Sequence, residues 1–396
     1  MQQLVLLPQS EVSLRTRRLQ ALVAAARMDW ILVSTNASKY YLTGRVFNGN
    51  ILIPARGDVY YFVRYPVNLE GERVVSVRKP EEIAPWMDEH TDRAFASLPF
   101  IGVEQDELSY SMVQRLTKAM GARTSTNASP LIRAARSVKT PMEIDLIEQS
   151  GIRQSRVYSL IPSFYRPGMS DIELQIEIEH ASRLEGCLGQ FRISGDSMEL
   201  FMGNVICGEN ADSPSPYDFA MGGAGLHPSL PVGADGTVIT PGTTVMVDVN
   251  GNYTGYMTDM TRVFTLGDPG DLARRAHQCS IDIHALFCRM ARPGVKAADI
   301  YAAAEILVRE RDLHAYYMGH RQHAGFIGHG VGIEINELPV IAPRTRDILA
   351  ENNVIALEPK FVIPHVGAVG IENTYLITAD APRLLTVFPD ELQPLD

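Results

Sequence analysis

Two aspartates, Asp248 and Asp259, lie inside apolar, strand-like sequence, in the stretch 245–260 that reads VMVDVNGNYTGYMTDM. A carboxylate buried there without a partner is costly, so the pair asks for a cation. Two glutamates repeat the anomaly farther on. Glu358 closes Val354-Ile355-Ala356-Leu357-Glu358-Pro359, and Glu372 sits in Val369-Gly370-Ile371-Glu372-Asn373-Thr374-Tyr375-Leu376-Ile377. Between the pairs lies Gly328-His329-Gly330-Val331-Gly332, where glycines allow close backbone approach and the imidazole of His329 can serve as a neutral ligand. Four carboxylates with one imidazole suit Mn, Co, Fe or Zn, and carry more charge than a single divalent ion needs. Two ions bridged by shared carboxylates fit better, an arrangement that clamps a nucleophilic water and polarises a carbonyl.

The elements that must hold these groups are strands. Val245, Met246, Val247 and Val249 read as a buried strand, Asn250-Gly251 as a hairpin signal, and 254–265 as a return strand rich in Thr, Tyr, Val and Phe. Asp248, Asn250, Asn252 and Asp259 also match positions of a calcium loop. That loop needs glycine where Tyr253 stands, and helices where these flanks are strands. Glu358 or Glu372 alone would be read as a strand-end glutamate, and His329 alone as a core histidine; their order along the chain argues for ligation.

The remaining pattern is α/β. A helix over 11–27 precedes a strand at 30–34, strands at 50–54 and 59–64 flank Arg56-Gly57-Asp58, a strand follows at 74–77, and a helix at 107–120 follows a strand at 100–104. This first domain spans 1–136 and contains no cluster of candidate ligands. The second, 137–396, opens on Thr140-Pro141-Met142-Glu143, a capping-box signal for a helix running to about Phe164, and Ser170 with Glu173 caps the next. Helices around 271–290 and 299–311 flank Arg292-Pro293-Gly294, echoing the earlier Arg166-Pro167-Gly168 and suggesting an internal duplication.

Composition excludes several classes. The chain has 396 residues, 45% hydrophobic and 21% charged, with a net charge of −10. These values describe a globular enzyme of two domains and argue against a nucleic-acid or anionic-membrane partner. The four cysteines show no CxxC spacing, the opening MQQLVLLPQS lacks a basic leader pattern, and no stretch has the length of a membrane span, so the expected setting is cytoplasmic.

The motif D-x-x-G-x-Y-x-x-Y-x-x-D-x-T-R from Asp248, then GHGVG, then Glu358-Pro359, then Ile371-Glu372-Asn373 resembles the pita-bread metallopeptidases: Xaa-Pro aminopeptidases, prolidases and methionine aminopeptidases. Lys39-Tyr40-Tyr41-Leu42-Thr43-Gly44 is similar to a stretch of the creatinase and prolidase N-terminal domain. The resemblance implies an α/β (α+β) architecture, with a C-terminal pita-bread fold of pseudo-twofold halves behind a smaller creatinase-like domain. It implies Asp248, Asp259, His329, Glu358 and Glu372 as ligands of two divalent ions, manganese first. It further implies Glu358 as general base, a metal-bridging hydroxide, cleavage of the Xaa-Pro bond of short peptides, and a homodimer. His227, in Gly225-Leu226-His227-Pro228, is the counterpart of an upstream histidine that contacts substrate and takes part in catalysis, and an exposed loop histidine is the alternative.

Two positions depart from the family. Asn336 stands where a second histidine donates to the substrate carbonyl; an amide can donate but cannot carry a proton. Gly370 stands where an arginine supports the metal carboxylates, and losing such a partner weakens affinity or activity. The departures leave open a homologue with creatinase-like C–N chemistry, or a metal-binding scaffold without peptidase activity.

Overall fold

The computed structural model describes residues 2–91, 100–195, 200–217 and 221–395. The chain forms two compact units, Met1–Arg136 and Ser137–Asp396. In the first, Trp30–Val33 lies at the middle of a six-stranded sheet, antiparallel to Asn48–Pro54 and parallel to Phe100–Val103. Its strand residues are all buried, which is why they read as a continuous apolar run. Phe62, Ile83, Met87, Ile101, Val113 and Leu116 pack one face of the sheet against the helices Ile83–His90 and Tyr110–Ala119.

The second unit repeats one plan twice. In its first half the helices Pro141–Phe164 and Asp171–Leu184 cover a four-stranded sheet in which Thr244–Val249 lies between Gly203–Cys207 and Thr261–Thr265. In its second half the helices Asp271–Met290 and Ala297–Glu310 pack on a five-stranded sheet with Val354–Leu357 between Gly328–Gly330 and Asn373–Leu376. The fold is thus mixed α/β with two similar halves, as the resemblance implies. Both expected capping boxes form: Thr140 and Ser170 each accept from the N3 backbone while Glu143 and Glu173 return to the cap. No helix among the described residues is long and apolar enough to cross a membrane.

One local expectation is corrected. Asn250-Gly251 is not the tip of the hairpin: Asp248 pairs with Thr261 and Gly251 with Thr258, so one register runs through both ladders and turns at 253–256, where Gly255 has φ +86°. A two-residue turn at Asn250-Gly251 would need positive φ at both positions. Gly251 has none, and its bare Cα is needed instead for packing, since a Cβ there would lie 2.4 Å from Thr258 Oγ1. The amides of Asn250 and Asn252 both donate to Gln190 O, which holds the segment extended.

Candidate metal centre

The site is built on two long hairpins, each broken where its ligands sit. In the first, continuing the Asp248–Thr261 register sets Asp259 level with Asn250, so the two aspartates lie diagonally on one face. The second runs from Val354–Leu357 through Lys360–Ile363 and returns through Gly367–Gly370 and Asn373–Leu376. Leu357 pairs with Asn373 and Lys360 with Gly370, so the unladdered residues between them, Glu358 and Glu372, face each other across the pair. Each glutamate occurs where the strand passes from one sheet to the next, free of the ladder on one side.

The backbone frame is rigidly tied. Tyr158 Oη donates to Met260 O at 2.5 Å and accepts from Val249 N at 3.1 Å, bracing the strands that carry the aspartates. Thr374 Oγ1 accepts from Asp259 N at 2.9 Å and donates to Asp259 O at 2.8 Å, joining one hairpin to the other. Arg262, wholly buried, donates from Nη1 to Thr261 O and Glu372 O and from Nη2 to Asn373 Oδ1 and Phe388 O, and it pairs with Asp390 at 3.0 Å.

The five sequence-expected ligands come together. Asp259, His329 and Glu372 form one group with ligand atoms within 4.8 Å of one another, and Asp248, Glu358 and Glu372 form a second. His329 Nδ1 lies 3.2 Å from Gly330 O, which can only accept, so Nδ1 carries the proton and Nε2 faces the carboxylates. Nε2 is 3.2 Å from Glu358 Oε1 and 4.0 Å from Asp259 Oδ2. Burial disfavours the charged ring while the neighbouring Glu358 raises its pKa, so Nε2 either donates to Glu358 as an imidazolium or, when neutral, offers its lone pair to a cation among the carboxylates. Glu372 supplies a second sign: Oε2 accepts from Thr261 Oγ1 at 2.7 Å, while Oε1 is buried without a hydrogen-bond partner among the described residues. An orphaned, buried carboxylate oxygen beside an imidazole and an aspartate is the donor set a divalent ion takes, so this first group fits a metal.

The second group holds a residue that sequence reasoning missed. Lys360, wholly buried, donates from Nζ to Asp248 Oδ2 at 2.8 Å, to Glu358 Oε2 at 2.9 Å and to Glu372 Oε2 at 3.5 Å. The signal was present: Lys360 follows Glu358 by two residues, and strand periodicity puts the two on one face.

Electrostatics follow from this crowding. Burial and then the neighbouring Glu372 push Asp259 well above the usual carboxylate range. Burial, reinforced by Glu358 and Asp248, raises Glu372 to about 8 against the opposing pull of Lys360. Burial also works against a charged Glu358, yet Lys360 and His329 outweigh it and hold that carboxyl at about 2. For Lys360 the three carboxylates overcome burial and keep the ammonium charged.

The other two expected residues, His227 and Asn336, have hydrogen-bond partners outside this cluster. His227 is exposed and its Nδ1 pairs within its own turn, 2.9 Å from Ser229 Oγ. Asn336, also exposed, is committed to Ser194: its Nδ2 donates to Ser194 O at 2.7 Å and its Oδ1 accepts from Ser194 N at 2.8 Å. Three histidines outside the expected set have partners of their own: His320 pairs with Asp212 at 2.9 Å, His323 lies 2.8 Å from Tyr317 O, and exposed His365 pairs with Glu209.

Comparison with known proteins agrees with this geometry. Residues 15–138 match the Creatinase/Prolidase N-terminal domain, and residues 145–379 match Metallopeptidase family M24. An uncharacterized peptidase, YqhT, of Bacillus subtilis is 27% identical over 96% of this chain and 99% of its own length. A Xaa-Pro dipeptidase of Pyrococcus horikoshii is 26% identical over 92% of this chain and 94% of its own. Among solved structures, a Xaa-Pro dipeptidase from Bacillus anthracis superposes with a TM-score of 0.77 at 24% identity, covering 97% of this chain and 99% of that one, and so shares the fold. With the family model covering well over half of its length, the chain belongs to metallopeptidase family M24.

Proposed function

We propose that this chain is a metal-dependent hydrolase that releases the N-terminal residue from short peptides whose second residue is proline. The convergence of Asp248, Asp259, Glu358 and Glu372 from two hairpins with His329 from the strand Gly328–Gly330 carries the reading, and relatives named Xaa-Pro dipeptidase support its substrate class. Manganese is the ion to load first, Co, Zn and Fe being compatible with the same donors. We also propose a cytoplasmic homodimer, and two domains, 1–136 and 137–396, which the division into two compact units supports.

Asp259, His329 and Glu372 would hold a divalent ion, with Glu358 beside them. When bound, the ion supplies Lewis acidity, polarising the scissile carbonyl and making water acidic enough to ionise near neutral pH. The protein's own part is to fix the donors and to move protons. Glu358 is ionised and touches both His329 and Lys360, and we assign it the proton taken from water and passed to the leaving amine. His329 is oriented through Gly330 O, so its Nε2 remains directed at the cluster.

A second reading, a homologue with altered C–N chemistry or a metal-binding scaffold, is favoured by two observations. The Asn336 amide is tied to Ser194 through its Oδ1 and one N–H of its Nδ2, which leaves a single N–H for a substrate carbonyl. Against the effect of burial, the contacts of Glu358 with Lys360 and His329 lower its pKa, which weakens it as a base.

A panel of Xaa-Pro dipeptides and Xaa-Pro-Xaa tripeptides, incubated with manganese-loaded protein, separates the two readings. Release of the first residue that falls at least about 100-fold in Glu358→Gln supports the hydrolase, since general acid–base groups contribute at that scale. No release from protein shown to hold its metal moves the assignment to the second reading.

A further inference from the structure

The cluster presents two seats for cations, and one of them already contains a cation that belongs to the chain. The acceptors of Lys360 Nζ are one oxygen each from Asp248, Glu358 and Glu372, the three residues of the second group, at 2.8, 2.9 and 3.5 Å. A divalent ion in that group would need these carboxylates at about 2.0–2.2 Å. It would then sit against a buried ammonium, two cations competing for the same oxygens. Lys360 has no exposed surface, so giving up this place would strand its charge in the interior.

The local backbone fits the lysine. Lys360 pairs with Gly370 on the neighbouring strand. Gly370 has φ +121°, and a Cβ there would lie 2.6 Å from Pro359 O and 3.0 Å from Lys360 Cα. A side chain is thus excluded on the strand opposite, and the positive charge enters from the lysine's own strand. The first group is different: Asp259, His329 and the orphaned Glu372 Oε1 have no lysine or arginine among their described contacts.

We propose that the ammonium of Lys360 permanently fills the second cation seat, so that the protein takes up a single divalent ion, held by Asp259, His329 and Glu372. The inference rests on the metal-centre reading above but not on the identity of the substrate. It turns the two-ion expectation into a one-ion centre with a built-in lysine.

Metal content of the full chain, loaded with Mn2+ and freed of loose ions by gel filtration, tests this directly. The expected result is about one ion per chain for the wild type and about two for Lys360→Gly, which vacates the seat. The electron paramagnetic resonance spectrum gives a second reading on the wild type alone: an isolated Mn2+ pattern is expected, with no exchange coupling between ions. That spectrum decides the matter even if Lys360→Gly does not fold. Two ions in the wild type, a coupled spectrum, no ion in the wild type, or one ion in a folded Lys360→Gly each overturn the inference. Failure to cleave Xaa-Pro peptides bears on the proposed function alone, because ion counting involves no substrate.

Discussion

Glu372 carries two different duties on its two oxygens. Oε2 is tied to Thr261 and Lys360, while Oε1 waits, buried, beside His329 and Asp259. If that oxygen is a metal donor, binding should stabilise the fold by mass action. Mn2+ at about 100 times its Kd adds about 2.7 kcal/mol, and the accompanying rise in melting temperature should disappear in His329→Ala and Asp259→Asn. Unchanged stabilisation in both variants would place the ion elsewhere. Arg262 makes a separate prediction. Its guanidinium satisfies backbone carbonyls of Thr261, Glu372, Phe388 and Pro389, and Arg262→Met should cost about 3–5 kcal/mol in denaturant unfolding. At this scale the sequence was informative about anions and silent about their counter-ion. Asp248, Asp259, Glu358 and Glu372 stood out because a carboxylate in an apolar strand violates a local rule. Lys360 violates the same rule two residues from Glu358, but a lysine next to Glu-Pro reads as a solvated partner until the strands are seen to turn it inward.

Helices and strands here are chosen by packing as much as by propensity, and Gly151 separates the two influences. It lies inside the helix Pro141–Phe164, where alanine is intrinsically favoured by about 1 kcal/mol. A Cβ at this position would come within 2.2 Å of Leu385 O, a backbone atom that has little room to move. Gly151→Ala should therefore destabilise the protein by about 1–3 kcal/mol, and a rise in unfolding midpoint would show that the neighbouring segment yields. The caps of this helix and the next were legible because Thr-Pro-x-Glu and Ser-x-x-Glu specify short-range hydrogen bonds. The hairpin tip was not, since Asn250-Gly251 offers a turn locally while Gln190, sixty residues away in sequence, holds both flanking asparagines extended. Nor did the sequence reveal that Glu358 and Glu372 would lie opposite one another; that depends on a register carried through a break in the ladder.

Across the whole molecule, buried histidines tie stability to pH. His284 is buried between Ile371 O and the Tyr375 hydroxyl, and burial lowers its pKa to about 3. The unfolded chain takes up this proton near pH 6.5, the folded chain only near 3. The contribution is therefore intact above about 6.5 and is lost as pH falls toward 3, with a slope of up to about 1.4 kcal/mol per pH unit. Unfolding midpoints taken through that window should show this decline, and the decline should be shallower in His284→Phe. The two-halved plan was partly readable from the repeated Arg-Pro-Gly signals. The closing of both halves on one acidic cluster was readable only through the order of the motifs, because the expected ligands are spread along the chain from Asp248 to Glu372.

The proposed chemistry requires the acidic cluster to be a working metal centre. Hydrolysis of a Xaa-Pro dipeptide by chelator-stripped protein, before and after Mn2+ is returned, tests it most directly. Turnover should vanish on stripping and return with the metal in the wild type but not in Asp259→Asn. Full turnover in the stripped protein, or full recovery in the variant, would contradict it.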